Sequence, residues 1–229
     1  MIPVLIFYLV KRFKLNTSLS KSKIEVRKIA SRVKAFLFGI AVISSLAFTK
    51  DKSEVLTYHV IKNDAIIGTI NINKTVLDNS VIYSSESQIK AKFLITFNVA
   101  TKEKAVFKNG VLVYSSIFRT INSKTKTNNE IVFENGQYLL QTSENSQSLN
   151  FNKITQNLVT LYFNEPNGAS SVFCDNLRTM VKIIPLGDCK YKVELSSGAF
   201  NIFHYQNGKC IKIEAVSNLY NVTLIPLVS

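Results

Sequence analysis

The chain has 229 residues, 46% of them hydrophobic, which is enough for one domain with a sizeable core and at most a small appendage. Its formal charge is +13, but residues 1 to 47 carry nine basic residues and one acid, while residues 48 to 229 carry nineteen basic and fourteen acidic residues. The larger part therefore has an ordinary balance of +5. Its lysines mostly alternate with apolar residues, as on solvated strand faces, and this argues against a nucleic-acid partner.

The first element along the chain is an apolar run of 14 residues, 35 to 48, that follows basic residues. A membrane-spanning helix needs about 20 apolar residues, so this run has instead the length of a signal-peptide core. Ser45 and Ala47 fit the −3 and −1 positions of a cleavage site. We therefore predict a signal peptide over residues 33–47 and cleavage after Ala47. The mature protein is then periplasmic or secreted, and it meets a membrane only through the uncleaved signal segment.

Residues 1–32 lie upstream of the point where a signal peptide normally begins, and they contain a second apolar run. One interpretation is a misassigned start, because Val33 is the residue that an alternative GUG start codon would show inside a longer reading frame. Residues 1–32 would then not be translated. The other interpretation is a cytoplasmic extension whose basic amphipathic helix lies on a membrane. Peptide mapping of the precursor separates the two, since any peptide from residues 15 to 32 excludes the misassigned start.

From Glu54 onward, short alternating runs rich in β-branched and aromatic residues are separated by turn residues. Asn and Gly accept the positive φ of a type I′ turn, which joins two antiparallel strands. Four such turns recur in similar contexts: Asn63-Asp64, Asn109-Gly110, Asn135-Gly136 and Asn207-Gly208. The pattern predicts a single all-β domain over residues 48–229, mainly antiparallel, as a strongly curved meander sheet or open half-barrel.

The pairing of residues across each hairpin can be predicted by counting outward from a two-residue turn. For the last hairpin, this count pairs His204 with Ile211 on an apolar face. For the first hairpin, it pairs His59 with Gly68. We therefore expect His204 to face the core.

One segment departs from strand alternation. Residues 155 to 163 place Leu158, Leu161 and Tyr162 at helical intervals after a Thr155 cap, and Pro166 lies just beyond. We predict a short helix here, packed on the concave side of the curved sheet.

Aromatic residues recur along the strands, and we expect most of them, such as Phe107, Phe118 and Tyr138, to lie in the core. A curved sheet with one short helix can still leave an apolar cavity, and such cavities hold lipids and other hydrophobic ligands.

The three cysteines, Cys174, Cys189 and Cys210, allow at most one internal disulfide, and small buried residues without a redox role are favoured. Their spacing excludes a zinc ribbon. Calcium-binding spacing and a Gly-rich phosphate loop are also missing from the sequence. We therefore expect no metal and no cofactor.

Several short motifs resemble one family. They are LYFNEP at residues 161–166, Val172-Phe173, the alternation from Tyr191 to Leu195, the hairpin from Asn201 to Gly208 and an opening hairpin around Tyr58. The chain resembles, over residues 54–227, a domain-of-unknown-function family of short exported bacterial β proteins, which implies no established activity. Cys174-Asp175 stands where that family is expected to have Ser-Glu. More loosely, the architecture is similar to open half-barrels that carry lipids or lipoproteins across the bacterial periplasm.

The candidate ligand-binding residues are aromatic and acidic side chains around the predicted helix, together with one histidine: Tyr162, Phe163, Glu165, Phe173, Asp175 and His204. The leading hypothesis is a non-enzymatic envelope protein that binds an apolar or amphipathic ligand, or a partner protein of the envelope. One alternative is an envelope hydrolase in which Glu165 or Asp175 acts with His204. Another is a structural or assembly protein that pairs through a sheet edge. The sequence assigns no catalytic residue, and whether the chain is an enzyme stays open.

Overall fold

The computed structural model describes residues 52–92, 96–142, 145–196, 198–217 and 221–227. The predicted signal peptide and the upstream extension lie outside these residues. The described residues form fourteen strands and one short 3-10 helix, η1 (Leu158–Tyr162). The strands are β1 (Lys52–Lys62), β2 (Ala65–Leu77), β3 (Ser80–Lys92), β4 (Thr96–Lys108), β5 (Val111–Ile121), β6 (Lys124–Glu134), β7 (Gln137–Thr142), β8 (Ser146–Leu149), β9 (Ser171–Cys174), β10 (Thr179–Gly187), β11 (Lys190–Ser196), β12 (Ala199–Gln206), β13 (Lys209–Ser217) and β14 (Val222–Pro226).

All of these strands belong to one antiparallel sheet, in the order β8-β7-β6-β5-β4-β3-β2-β1-β14-β13-β12-β11-β10-β9. The first and last strands, β1 and β14, pair in the middle of the sheet. Strands β8 and β9 are its two edges, so the segment from residue 150 to residue 170, called the connector below, leads from one edge to the other. The sheet does not close, and the predicted all-β antiparallel half-barrel is confirmed.

The predicted turns are confirmed by their backbone angles. Asn63 and Asn109 both have φ +49°, and the last turn has φ +51° at Asn207 and +73° at Gly208. This left-handed region is open to Gly and tolerated by Asn, which explains why these residue types stand at the hairpin tips.

The predicted register of the last hairpin is wrong beyond its first pair. Tyr205 pairs with Cys210, but His204 then pairs with Lys212, because Ile211 is an extra residue in a β-bulge. A one-residue shift moves every following side chain to the other face. The buried face of β12 therefore carries Tyr205 and not His204.

The first hairpin contains the same irregularity, and His59 pairs with Thr69 and not with Gly68. Six of the strand pairs, β1–β2, β4–β5, β5–β6, β10–β11, β11–β12 and β12–β13, shift register in this way. Each bulge bends its strand and increases the local twist. The curvature brings distant strands together, since Arg119 of β5 donates a hydrogen bond of 2.9 Å to Asn176 in the turn after β9.

The predicted helix is present only as the single turn η1. Its N-terminal cap is Asn157 and not Thr155, because the backbone N–H of Phe173 donates to Gln156 and holds the chain extended up to that point. The Thr160 hydroxyl then donates to the carbonyl of Asn157 at 2.6 Å. All five η1 residues are buried, and η1 contacts β3, β9 and β13, so the predicted place on the concave side is confirmed.

The three cysteines are free thiols. Cys174 and Cys210 are buried, and Cys189 is exposed.

Among the residues that the structure describes, no helix has the length and hydropathy needed to cross a membrane.

Candidate functional site

An aromatic core fills the concave side around η1. The ring of Tyr162 meets the ring of Tyr58 edge-on at 5.3 Å and that of Phe203 at 6.1 Å. The hydroxyl of Tyr205 donates to the carbonyl of Leu161 at 2.6 Å, and that of Tyr58 donates across the sheet to a backbone carbonyl of β13 at 3.2 Å. Burial raises the pKa of both phenols well above the usual range. We call these residues, Tyr58, Tyr162, Phe203 and Tyr205, the aromatic core.

Three of the predicted site residues belong to this interior or border it. Phe173 is fully buried and Tyr162 is 5% exposed, so both are packing residues in this conformation. Phe163 is half-buried, its ring lies 5.5 Å from that of Tyr83, and the Lys74 ammonium lies 5.4 Å from its centroid.

The two predicted acids lie in different surroundings. The Glu165 carboxylate accepts a hydrogen bond of 2.8 Å from the Tyr191 hydroxyl, and this bond is the main reason that the pKa of Tyr191 is raised. Asp175 is buried, and its Oδ2 accepts a bond of 2.9 Å from Asn157 Nδ2.

His204 lies on the outer face of the sheet. Its Nε2 is 3.2 Å from the Glu214 carboxylate. Partial burial lowers the pKa of His204, although the negative charge of Glu214 acts in the opposite direction. The next residue, Tyr205, points to the concave side, where its ring contacts that of Tyr191. Because Tyr191 is hydrogen-bonded to Glu165, Glu165 also lies on the concave side, and the sheet separates it from His204.

Asp175 belongs to a group of buried polar side chains that the sequence did not reveal. In its centre, Arg119 Nη2 of β5 lies 3.9 Å from Glu103 Oε1 of β4, and the two side chains are only 1% and 7% exposed. We call this group the buried polar cluster; it consists of Thr101, Glu103, Ser115, Arg119, Asn157, Asp175 and Asn176. It joins the β4–β5 side of the half-barrel to the β9 edge.

Burial determines the acid-base properties of Asp175. Its pKa is raised to about 6, mainly by removal from water and to a smaller extent by the negative charge of Glu103, while the hydroxyl of Ser115 and the amide of Asn157 oppose the rise. A carboxyl group of this kind could exchange a proton near neutral pH, but it is enclosed by the protein.

One sequence signal could have revealed Arg119. In the run Ile117-Phe118-Arg119-Thr120-Ile121, alternation places Arg119 on the same face as Ile117 and Ile121, which are both buried. A charged residue in an inward position needs a buried partner. Glu103 gives no comparable signal, since it stands between two lysines.

The outer face of β1 to β5 carries a groove of about 410 Å³. Its apolar side chains are Phe118, which is 41% exposed, and Val55, which is 65% exposed. The expectation that Phe118 lies in the core is wrong, because the side chain points outward. Lys102 pairs with Phe118 in the register and forms a 2.8 Å ion pair with Glu86. We call this the outer groove; its outward-facing lining consists of Val55, Asn71, Asn73, Ser84, Glu86, Lys102, Lys104, Ser116 and Phe118, above the inward-facing residues Ile72, Ser85 and Glu103.

The described residues form two other depressions. One of about 520 Å³ lies beside the outer groove and is lined by Ile66, Ile67 and Lys90 among others, and one of about 670 Å³ lies between the connector and β9, with mostly polar residues around it. Within the described ranges, no group of three or more His, Cys, Asp or Glu side chains could hold a metal ion.

The sheet, its turns and its filled interior define an all-β open half-barrel. Residues 58–227 match the family model described as a domain of unknown function (DUF6134), and the chain belongs to this family. The resemblance seen in the short motifs is thereby confirmed at the level of the family. No curated protein matches the chain significantly, and no solved structure does.

Proposed function

We propose that the protein is an exported, non-enzymatic binding module of the bacterial envelope, and that the outer groove binds an amphipathic ligand with an acidic head group. The signal-like segment over residues 33–47 supports export. The observation that carries the binding proposal is the groove itself, where an exposed Phe118 lies beside lysine side chains.

The interior is the less suitable place for a ligand. Tyr162, Leu158 and Leu161 fill the space between the two sides of the half-barrel, and each is at most 5% exposed. A ligand on the concave side would have to displace η1 and break the bond between Tyr205 and the Leu161 carbonyl. The outer groove requires no such rearrangement.

The charges around the outer groove favour an anion. Two lysines, Lys102 and Lys104, line the groove together with one outward acid, Glu86. The Glu86 charge is balanced by Lys102, which leaves Lys104 to attract an acidic head group. Phe118 and Val55 then provide apolar surface for a hydrocarbon chain. A fatty-acid-type carboxylate has the required chemistry.

The two alternatives receive less support. His204 lies on the outer face of the sheet beside Glu214, whereas Glu165 and Asp175 both lie on its concave side, so the geometry disfavours a hydrolase site formed by either acid with His204. Both sheet edges are strands of only four residues, and β9 is further covered where Phe173 bonds to the connector. Short and covered edges disfavour assembly by strand pairing.

The first experiment is native mass spectrometry of the protein purified from the envelope fraction, with the released compounds identified after denaturation. We expect an amphipathic acid on a chain that begins at Phe48. An uncleaved chain would contradict export, and a bound partner protein in place of a small molecule would contradict the ligand class.

The groove is tested by titrating the purified protein with sodium dodecanoate in a calorimeter. We expect Phe118→Ser and Lys104→Glu each to weaken binding by about tenfold or more. Leu186→Ser and Lys209→Glu are the matched controls, since Leu186 is 49% exposed on β10 and Lys209 is exposed on β13, both outside the groove. Equal losses in variants and controls would refute the groove as the site.

A further inference from the structure

Three members of the buried polar cluster, Glu103, Asn157 and Asp175, line a very small cavity. Its volume is about 10 Å³, and it lies between the inner side of β3 to β5 and the connector. A cavity of about 10–15 Å³ holds one water molecule. Its inward-facing lining consists of Tyr83, Glu103, Ala105, Ile117, Asn157, Val159 and Asp175.

Two residues of the cavity lining each carry a buried oxygen atom with unmet hydrogen-bonding capacity. Asn157 is 1% exposed, and its Nδ2 is used in the bond to Asp175 Oδ2, whereas its Oδ1 is buried without a hydrogen-bond partner among the described protein atoms. The same is true of Asp175 Oδ1. The Ser115 hydroxyl is near enough to lower the pKa of Asp175, but it makes no hydrogen bond of good geometry to this atom. A buried acceptor without a hydrogen bond destabilises the folded state.

We propose that this cavity is a binding site for one ordered water molecule, which donates hydrogen bonds to Asn157 Oδ1 and Asp175 Oδ1. The water molecule has the two protons that these two acceptors require. The Glu103 carboxylate forms a third polar wall of the site. A buried water with two to four polar partners is a regular part of a folded protein.

A metal cation fits the same cavity less well. Ca²⁺ takes about six to eight oxygen ligands, and three carboxylate or amide side chains line this cavity. The guanidinium of Arg119, 3.9 Å from Glu103, already supplies positive charge to the acids.

The position gives this water a structural role. Asn157 begins η1 and Asp175 follows β9, so one molecule links the connector to the β9 edge of the half-barrel. It therefore supplies hydrogen bonds to two buried acceptors of the buried polar cluster.

The test is a crystal structure of the full domain at atomic resolution. We expect a density peak about 2.7–3.2 Å from both Asn157 Oδ1 and Asp175 Oδ1. An empty cavity would overturn the proposal. A peak with ligand distances of about 2.3–2.6 Å would indicate a cation such as Ca²⁺ and would overturn it as well.

A cavity-filling variant gives a second measurement. Ala105→Val places methyl groups in the cavity, and Ala100→Val is the control, because Ala100 is an exposed residue of the same strand. We expect the peak to be lost in Ala105→Val and kept in Ala100→Val. If Ala105→Val does not fold, NMR cross-relaxation between water and the Asn157 side-chain amide of the wild-type protein replaces it, and no long-lived water signal there would refute the site.

Discussion

The aromatic core and the buried polar cluster fill the same concave side of one sheet with different chemistry. Around η1, rings pack edge to face, and phenol hydroxyls such as that of Tyr205 donate to backbone carbonyls. Between β4, β5 and the β9 edge, Arg119 and Glu103 are instead buried as charged groups. The aromatic core stabilises the fold because it removes apolar surface from water. The buried polar cluster costs desolvation energy, and only complete pairing of its charged and polar groups offsets that cost.

This contrast predicts how each region responds to mutation. Loss of one hydroxyl from the aromatic core leaves the apolar packing intact. Loss of one charge from the buried polar cluster removes a counter-charge from a buried partner, which is the most costly kind of change.

The largest effect is expected from Arg119→Met. This change removes the positive charge next to Glu103 and the donor to Asn176. We expect the free energy of unfolding to fall by about 3–5 kcal/mol, measured by urea denaturation followed by circular dichroism. Arg178→Gln, at an exposed arginine in the turn after β9, should change it by no more than about 0.5 kcal/mol.

A double variant sharpens this prediction. Glu103→Met combined with Arg119→Met removes both charges, and we expect much of the lost stability to return. Equal losses in the single and double variants would contradict a charge-pairing role for the buried polar cluster.

An intermediate effect is expected from Asp175→Asn, and it depends on pH. Below pH 3.8, its ordinary pKa, the carboxyl is protonated in both states; between 3.8 and about 6, only the folded state keeps the proton. The free energy of unfolding of the wild type should therefore fall across this window as pH rises, by roughly 3 kcal/mol at about 1.36 kcal/mol per pKa unit. Asn cannot ionise, so the variant should lose this slope.

Glu214 serves as the control, because its effect on the free energy of unfolding changes with pH in the opposite direction. A hydrogen bond from Lys212 lowers the pKa of Glu214, so Glu214 stabilises the fold above its unfolded pKa, and this contribution is lost as pH falls through the lowered value. Glu214→Gln should therefore remove a slope of the other direction. Parallel pH profiles for the Asp175 and Glu214 variants would contradict the raised pKa of Asp175.

The smallest effect is expected in the aromatic core. Tyr205→Phe keeps the ring but leaves the Leu161 carbonyl without its 2.6 Å donor. We expect a loss of about 1–2 kcal/mol in the free energy of unfolding. Tyr114→Phe, on the outer face of β5, should be nearly neutral, and a similar loss in both variants would show that the Tyr205 bond is not the cause.

Much of the fold follows from the sequence because turn chemistry and strand alternation are local. Asn207-Gly208 and its counterparts fix the hairpins, and the alternation fixes the strands. The bulges are not visible in this way, since nothing in the run from Cys210 to Lys212 marks Ile211 as the extra residue. For that reason, the sequence placed His204 on the wrong face.

The site was harder to predict than the fold. Tyr162 and Phe173 were expected near a ligand, but a curved sheet of this size needs them to fill its interior. Asp175 was singled out, although its partners Glu103 and Arg119 come from strands far away in the chain and meet it only when the sheet curves. Phe118 looked like a core residue because strand alternation alone does not say which face is buried.

The most direct test of the proposed function is to map dodecanoate on the protein by NMR chemical-shift perturbation. We expect the largest shifts on outward residues of the outer groove, such as Ser84, Lys104 and Phe118, and no change at Tyr162 and Phe173. The largest shifts at Tyr162 and Phe173 would contradict it, because they would mean that the half-barrel opens and binds its ligand on the concave side.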